Sequence, residues 1–340
     1  IQLEVCRRLE RAVSQHGAAG GTVAVLEPMT GAVRAMCSVP SFDPNRYQET
    51  TDLARFSPPA IVAAYEPGSV FKPMTMAAAL DAGVVETTTR FTDTGSITVG
   101  GYTITNTDSR VYGEKTMADV LRFSINTGAV FAAQQLGMDR FRTTVERFGF
   151  GHRTGIELTG EATGDIGNLR RSEPVYLATT SYGQGIAVTP LQLATAYAAI
   201  ANGGTLMTPY VIEGYVESDG TRRRVEPRVV HRVVSARTAT LLQGMLVSVV
   251  QDGYPKRAGV PGCRVGGKTG TAQIPFGDRP GYSAETIHTF TGIGPIEAPT
   301  FAMVVRIDRP QKRFADSTAA PLFGQIAKFI LQYDGIAPRE

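Results

Sequence analysis

Several common signals are missing from this sequence of 340 residues, and each absence excludes a class of protein. The three cysteines, Cys6, Cys37 and Cys263, are odd in number and far apart, so their spacing signals neither a disulfide framework nor a zinc site. The four histidines are also scattered, and we predict no metal and no cofactor. No apolar run approaches the roughly 18 to 20 residues that span a bilayer, and no signal-peptide pattern opens the chain.

Charge of one sign is missing as well. Thirty-four Lys and Arg oppose thirty-one Asp and Glu, and this balance argues against a nucleic-acid partner. The one basic cluster, Arg222-Arg223-Arg224, follows Asp219-Gly220 and is interpreted as a solvated hairpin tip. With 42% hydrophobic residues, the chain can bury a full core and is long enough for two lobes.

The first segments carry clear secondary-structure patterns. Val5, Leu9 and Val13 recur at helical spacing and predict an opening amphipathic helix. Two β-rich runs, 22–26 and 32–38, flank a Pro-Met-Thr-Gly turn and predict a hairpin.

The middle of the chain, from about residue 69 to 204, has a helical pattern. The clearest helix begins at Thr189-Pro190, an N-cap followed by a first-turn proline. Its predicted apolar face consists of Leu193, Tyr197 and Ile200.

The last part of the chain returns to strands. Its predicted elements are a helix from about Ser235, a strand at Lys268, strands at Thr289–Gly294 and Phe301–Ile307, and a closing helix with Leu322, Ile326, Phe329 and Tyr333 on its apolar face. We therefore expect a single α+β domain over residues 1–340, in which both ends of the chain contribute to a mixed sheet. The sheet-containing lobe covers about 1–60 and 205–340, the helical lobe about 61–204, and the chemistry is expected in the cleft between them.

The stretch Ser69-Val-Phe-Lys72 places a hydroxyl and an amine three residues apart. On a helix these positions share a face, so the Lys72 amine can reach the Ser69 oxygen and accept its proton. Gly68 allows a tight entry, and Pro73 is tolerable only within the first turn. A lysine near its usual pKa of about 10.4 is protonated at neutral pH, so burial and a second cation such as Lys268 must lower it.

A second motif, Ser124-Ile125-Asn126, lies at a predicted junction between two helices. A serine and an asparagine at this spacing can aim a hydroxyl and an amide into one cleft. Local capping of the second helix is an equally open explanation of the same residues.

A third motif, Lys268-Thr269-Gly270-Thr271, lies in a predicted strand beside further glycines, which mark close approach by a backbone or ligand. A peptide could pair along this strand, with its terminal carboxylate held by the Thr269 and Thr271 hydroxyls and the Lys268 charge. Residues 262–269 also match the phosphate-loop pattern G-x-x-x-x-G-K-[ST]. That loop requires a following helix, and the glycine and proline that come next oppose one.

Together, in this order, the three motifs are the signature of class A β-lactamases and penicillin-binding proteins. The sequence resembles penicillin-binding transpeptidase domains over nearly its whole length. Tyr65–Ser69, Ser41–Asn45 and Gly183–Gly185 resemble the class B, monofunctional members in particular. The resemblance implies the penicilloyl-serine-transferase (β-lactamase/transpeptidase-like) fold, with a central, mainly antiparallel sheet flanked by helices and an all-helical lobe.

The resemblance also implies a function, that of a serine-type D-Ala-D-Ala transpeptidase in peptidoglycan synthesis. Ser69 would attack a stem peptide ending in D-Ala-D-Ala, expel the last D-Ala, and pass the acyl group to an amine of a neighbouring stem. Lys72 and Ser124 would move the proton, and β-lactams would acylate Ser69. The implied substrate-binding residues are Asn126, Lys268, Thr269, Gly270 and Thr271, and the backbone N–H groups of Ser69 and Thr271 are candidates for the oxyanion hole.

Two departures from the β-lactamase pattern disfavour rapid hydrolysis of an acylated drug. Ile125 replaces the usual Asp, and 173–177 lacks the asparagine expected beside a deacylating glutamate. A D,D-carboxypeptidase and a β-lactam-binding sensor remain open alternatives. Class B proteins imply a location at the extracytoplasmic face of a bacterial membrane, through an anchor absent from this sequence, and a membrane glycosyltransferase partner.

Overall fold

Strands from the two ends of the sequence pair into one central sheet in the computed structural model, which describes residues 1–338. In chain order the strands are β1 (Gly20–Leu26), β2 (Val33–Val39), β3 (Arg90–Asp93), β4 (Ser96–Val99), β5 (Tyr102–Thr105), β6 (Gly113–Thr116), β7 (Thr205–Met207), β8 (Gly214–Val216), β9 (Arg222–Arg224), β10 (Val229–Arg232), β11 (Gly266–Pro275), β12 (Tyr282–Gly294) and β13 (Phe301–Asp308). The central sheet has the order β11-β12-β13-β1-β2, and every neighbouring pair is antiparallel. The antiparallel sheet that the family resemblance implies is confirmed, as is its construction from both ends of the chain. The mixed sheet expected from the sequence pattern is corrected, because the pairs β1–β2, β11–β12 and β12–β13 are hairpins of consecutive strands.

Helices cover both faces of this sheet and fill most of the middle of the chain. The middle segment is not all-helical as the resemblance implies, because β3 pairs with β6 and β4 pairs with β5 within it. The helices are α1 (Gln2–Gln15), α2 (Pro59–Val62), α3 (Lys72–Asp81), α4 (Met117–Arg122), α5 (Asn126–Leu136), α6 (Met138–Arg147), α7 (Pro174–Thr180), α8 (Pro190–Ala201), α9 (Ala236–Asp252) and α10 (Ala319–Tyr333). The helices predicted at the start of the chain, after Thr189, after Ser235 and at the end are all present.

Strand β1 shows how the sheet separates two cores. All seven of its residues are buried, because helices cover both faces. Val23 and Val25 point to the core beneath α1 and α10. Ala24 and Leu26, on the alternate face, join the larger core shared with the helices of the middle segment.

Helix α8 differs from the prediction of one apolar face. All twelve of its residues are buried, since it packs on β1, β12 and β13 on one side and on other helices on the other. Its start is as predicted: Thr189 and Gln192 form a reciprocal capping box, and Pro190 occupies the first turn. A helix that is buried on all sides has no polar face, so the spacing of its apolar residues in the sequence does not show that it is fully buried.

A disulfide bond joins Cys6 of α1 to Cys37 of β2, with their Cα atoms 5.3 Å apart. The spacing of the cysteines along the sequence does not signal this bond, because the two residues meet only when α1 packs on β2. Cys263 is a half-buried free thiol. The bond ties the first helix to the edge strand of the sheet.

The basic cluster lies where it was predicted, in an exposed hairpin. Arg222–Arg224 form β9, which pairs with β8, and every residue of both strands is exposed. Within residues 1–338, the helices are all too short or too polar to cross a bilayer.

Candidate active site

Ser69 lies in a single 3-10 turn, Gly68–Phe71, that leads directly into α3. Gly68 has φ +58°, a conformation that costs a glycine little, and this allows the sharp entry into the turn. Pro73 falls in the first turn of α3, where its missing N–H removes no helical bond. Tyr197 of the buried helix α8 donates its hydroxyl to the carbonyl of Val70 at 2.8 Å. The serine is thus held at the end of a rigid, buried helix.

Glycines bring two distant segments against the Ser69 turn. A Cβ on Gly270 of β11 would lie 2.7 Å from the carbonyl oxygen of Pro67, so only glycine permits this approach. On another side, Gly68 N donates to Gly183 O at 3.0 Å, and a Cβ on Gly183 would collide with Gly68 O. The third motif and the segment around Gly183 therefore meet at the nucleophile candidate.

Lys72 holds the second motif rather than the Ser69 hydroxyl. Its Nζ is 2.5 Å from the main-chain oxygen of Ser124, 3.1 Å from Ser124 Oγ and 2.7 Å from Asn126 Oδ1. Within residues 1–338 no direct hydrogen bond joins the Ser69 hydroxyl to Lys72, so proton transfer from Ser69 to Lys72 stays a prediction. The helical spacing does put both groups on one face, but the buried amine turns to the acceptors of the second motif.

The second motif occupies a strained junction between α4 and α5. Ser124 has φ +59°, which is uncommon for a residue other than glycine and is found where a site constrains the backbone. Asn126 is the first residue of α5, and the N-cap position before it is Ile125, which caps nothing. Local capping by Ser124 or Asn126 is therefore wrong as an explanation of this motif, and both side chains are directed at Lys72.

A remote asparagine caps α5 instead, and sequence reasoning missed it. Asn106 Oδ1 accepts hydrogen bonds from the backbone N–H groups of Asn126 at 2.9 Å and Thr127 at 3.2 Å. Its amide nitrogen is 2.9 Å from both oxygens of the buried Asp93, which also accepts from Thr127 Oγ1 at 2.6 Å. In the sequence, Asp93 and Asn106 look like ordinary turn residues, and no local signal separates them from others.

The two lysines of the site are almost completely buried, each with 1% of its surface exposed. Burial lowers the pKa of Lys268 to about 7. Burial, and second to it the charge of Lys268, lower the pKa of Lys72 well below its usual value. The predicted depression of the Lys72 pKa by these two causes is confirmed, and Lys72 is favoured as a neutral amine.

The third motif lies on β11, the edge strand of the central sheet, and in the part of the chain that the structure describes no other strand pairs with its outer side. Thr269 and Thr271 are half-exposed on one face of the strand, and Lys268 and Gly270 are buried on the other. Thr271 Oγ1 accepts from Ala315 N at 3.1 Å, which leaves its own hydrogen free to donate. Because the strand continues to Pro275 without a helix, the phosphate-loop interpretation of this segment is excluded.

A cleft of about 620 Å³ opens over these elements. Ser69, Asn126 and Thr271 line it, together with β5 residues and the aromatic side chains of Tyr182 and Tyr282. Lys72 and Lys268 lie buried beneath. The three motifs therefore converge at one crevice, as the sequence predicts.

Glu66 is another residue of the site to which sequence reasoning gave no role. Its Oε1 accepts from Gly185 N at 2.9 Å, and its Oε2 accepts from the Tyr282 hydroxyl at 3.0 Å. Burial raises the pKa of Glu66. Burial, and second to it the Glu66 charge, raise the pKa of Tyr182 to about 12. The carboxylate thus joins the turn before Ser69 to the β11–β12 hairpin and to the loop at Gly185.

Known proteins share both the sequence and this architecture. The family described as the penicillin binding protein transpeptidase domain matches residues 21–328. Stage V sporulation protein D of Bacillus subtilis is 35% identical over 347 residues, covering 100% of this chain and 53% of that protein. Peptidoglycan D,D-transpeptidase FtsI of Escherichia coli is 33% identical over 341 residues, covering 99% of this chain and 55% of that protein.

A solved structure aligns over the whole chain. Penicillin-binding protein 3 of Mycobacterium tuberculosis, complexed with aztreonam, superposes with a TM-score of 0.91 at 32% identity, covering 100% of this chain and 78% of that one. The chain belongs to the penicillin-binding protein transpeptidase domain family, in its class B branch. It spans about half the length of the curated relatives it matches.

Proposed function

We propose that this chain is a serine-type D,D-transpeptidase domain that cross-links peptidoglycan stem peptides through an acyl-enzyme on Ser69. The observation that supports this most is the buried Lys72, which is hydrogen-bonded to the second motif one helical turn from the Ser69 hydroxyl and whose pKa is lowered by burial and by the charge of Lys268. The E. coli relative is named as a peptidoglycan D,D-transpeptidase, and the M. tuberculosis relative was solved with a β-lactam.

Neutral Lys72 has two hydrogens and one lone pair for its three neighbours. The main-chain oxygen of Ser124 and Oδ1 of Asn126 only accept, so they take the two hydrogens. The lone pair is left to accept the proton of Ser69, and the ammonium that results can donate its third hydrogen to the Ser124 hydroxyl, 3.1 Å away. This arrangement suits Ser124 as the relay between the base and a leaving group.

In acylation, the Ser69 oxygen bonds to the carbonyl carbon of the penultimate D-Ala while its proton passes to Lys72. Contact between Ser69 and Lys72 tightens when substrate occupies the cleft, since such bonds are often long in unliganded sites. The bond to the terminal D-Ala then breaks, and the proton reaches the leaving amine through Ser124. A neutral acceptor amine then attacks the ester carbon, the bond from that carbon to the Ser69 oxygen breaks, and the proton lost by the amine returns through Lys72 to Ser69, which completes the cross-link.

The proposed substrate-binding roles follow from the position of the edge strand. The donor peptide adds antiparallel to β11, with its carboxylate held by Thr269, Thr271 and the charge of Lys268. The N–H groups of Ser69 and Thr271 stabilise the developing oxyanion, a contribution of about 3 to 4 kcal/mol per donor. Gly270 permits the strand to approach, and Asn126 orients the substrate and Lys72.

β-Lactams acylate Ser69 and persist, because the deacylating machinery of a β-lactamase is lacking at the expected place. Glu173 precedes α7 and is exposed.

By family analogy, the domain works on the outer side of a bacterial membrane beside a membrane glycosyltransferase.

Product analysis tests this function. A peptide ending in D-Ala-D-Ala is incubated with and without an acceptor amine, and the products are identified by mass spectrometry. Transfer to the amine is expected. Hydrolysis alone would indicate a D,D-carboxypeptidase, and a stable penicillin adduct without any peptide turnover would indicate a sensor. Ser69→Ala should abolish the reaction, and Ser14→Ala, at an exposed serine of α1, should not.

A further inference from the structure

A second cavity, of about 680 Å³, adjoins the active-site cleft. Gln273 lines both. Glu66 and Gly185 line the second cavity, and Tyr282, whose hydroxyl binds Glu66, lines the cleft. The side chain of Glu66, three residues before Ser69, therefore lies with Gly185 and Tyr282 between the two spaces.

The charges around the second cavity are not balanced. Two guanidiniums line it, but Arg306 pairs with Asp308 at 2.6 Å and Arg309 pairs with Glu285 at 2.8 Å. The carboxylates of Glu66 and Asp165 also line it, and within residues 1–338 neither forms an ion pair with a basic side chain. A negative field remains in the cavity and favours a cationic occupant.

The Glu66 carboxylate has capacity for a further ligand. Gly185 N and the Tyr282 hydroxyl occupy part of its acceptor sites, and a carboxylate offers about four. Burial raises the pKa of Glu66, and a cation placed beside the carboxylate would oppose this rise and stabilise the charged form. The carboxylate is fixed by these two bonds and needs little reorganisation to bind.

The direction of β11 indicates which part of the substrate reaches this cavity. A peptide antiparallel to β11, with its carboxylate at the Lys268 end, runs its earlier residues towards Pro275. The residue before D-Ala-D-Ala is two positions from the terminal D-Ala, so it lies roughly 7 Å further along β11 than that terminal residue. Gln273 and Pro275, at that end of the strand, line the cavity. The side chain of the third residue from the C-terminus is thus the one that can enter.

We propose that the second cavity is a donor subsite for a side chain that ends in a primary ammonium, with Glu66 as its carboxylate partner. This inference rests on the proposed function. A cross-linking amine comes from a neighbouring stem, and donor and acceptor are copies of one peptide, so the donor carries the same amine. Glu66 recognises that group on the donor, and Asp165 adds attraction at longer range.

The test compares two peptides that differ in one charge. Nα-acetyl-L-Lys-D-Ala-D-Ala has a free side-chain ammonium, and Nα,Nε-diacetyl-L-Lys-D-Ala-D-Ala does not. In the parent, kcat/KM for D-Ala release should favour the free amine by about tenfold or more, the size of a charged hydrogen bond. Glu66→Gln should bring this ratio close to one. Where turnover is slow, the concentrations of the two peptides that protect against acylation by benzylpenicillin give the same ratio.

Three controls separate recognition of charge from structural support. A general loss of activity in Glu66→Gln cancels in the ratio. Tyr282→Phe keeps the Glu66 carboxylate and its bond to Gly185, so the preference for the free amine should persist. Loss of this preference would assign the effect to the hydrogen bond between Tyr282 and Glu66 and would overturn the subsite. Glu10→Gln, at an exposed residue of α1, should behave as the parent.

The failures of the two proposals are distinguishable. Equal kcat/KM for both peptides in the parent, or a preference that survives Glu66→Gln, overturns the subsite and leaves the transpeptidase intact. A parent that releases D-Ala from neither peptide and forms no adduct with penicillin overturns both. A preference seen only in transfer of the acyl group, and not in acylation, would place the ammonium on the acceptor and contradict a donor subsite.

Discussion

Replacement of Lys268 by methionine should change how the stability of the protein depends on pH. Burial lowers the pKa of Lys268 to about 7, whereas an unfolded chain keeps a lysine near 10.5. Between these two values the unfolded state binds a proton that the native state lacks. This group therefore destabilises the parent most below pH 7, and the destabilisation is lost gradually as the pH rises to about 10.5, so the free energy of unfolding rises with pH over this range.

The size of the effect follows from the same two values. One unit of pKa difference corresponds to about 1.36 kcal/mol. At pH 7 the native Lys268 is about half protonated, so from pH 7 to pH 9 its contribution changes by about 2 kcal/mol. With 1% of its surface exposed, the side chain has little solvent to screen it. Lys72 adds a rise of the same sign in both proteins; in the variant its pKa is lowered less, because burial remains and the charge of Lys268 is gone.

Urea unfolding followed by far-UV circular dichroism suits this measurement, since the chain has no tryptophan to report by fluorescence. The difference in free energy of unfolding between pH 9 and pH 7 should be about 2 kcal/mol smaller in Lys268→Met than in the parent. Lys328→Met removes an exposed lysine of α10 and should leave the pH dependence unchanged. The same pH dependence in Lys268→Met and the parent would refute a buried, neutralised lysine at this position.

Three further outcomes are expected. Lys72→Ala should abolish acylation by benzylpenicillin while the circular dichroism spectrum is retained; acylation at the parental rate would remove Lys72 from the mechanism. Asn106→Ala should lower the free energy of unfolding, measured with urea, by about 2 to 4 kcal/mol, because the N–H groups that begin α5 and the Asp93 carboxylate lose a partner. The same variant should slow acylation, and an unchanged urea midpoint would contradict this cap. Cys6→Ser together with Cys37→Ser should lower the free energy of unfolding by about 3 to 4 kcal/mol, the closure entropy of a loop of this length; no change would contradict the bond's contribution.

The parts of the fold that the sequence predicts are those governed by local patterns. The two β-rich runs of the first hairpin, the Thr189-Pro190 start of α8 and the apolar stripe of the closing helix each reflect short-range chemistry, and each element is present. The convergence of the three motifs could also be predicted, because their residue types and their order match a known signature. Local pattern does not report how deep an element lies, as the all-round burial of α8 demonstrates.

The parts that could not be predicted depend on contacts between distant segments. Lys72 turns to Ser124 and Asn126, more than fifty residues away, because a buried amine seeks every available acceptor. Asn106 caps a helix that begins twenty residues later. The pairing of Cys6 with Cys37 requires the packing of α1 on β2. Single residues of these types are common in turns, and only three-dimensional proximity distinguishes them.

The central claim is that Ser69 is the nucleophile of a site completed by Lys72 and the two other motifs. Intact-mass analysis after incubation with benzylpenicillin, followed by peptide mapping, tests it most directly. The account predicts one persistent penicilloyl group per chain, located on Ser69, and none on Ser69→Ala. An adduct that remains on Ser69→Ala, or a parent chain that gains no mass at all, would contradict it.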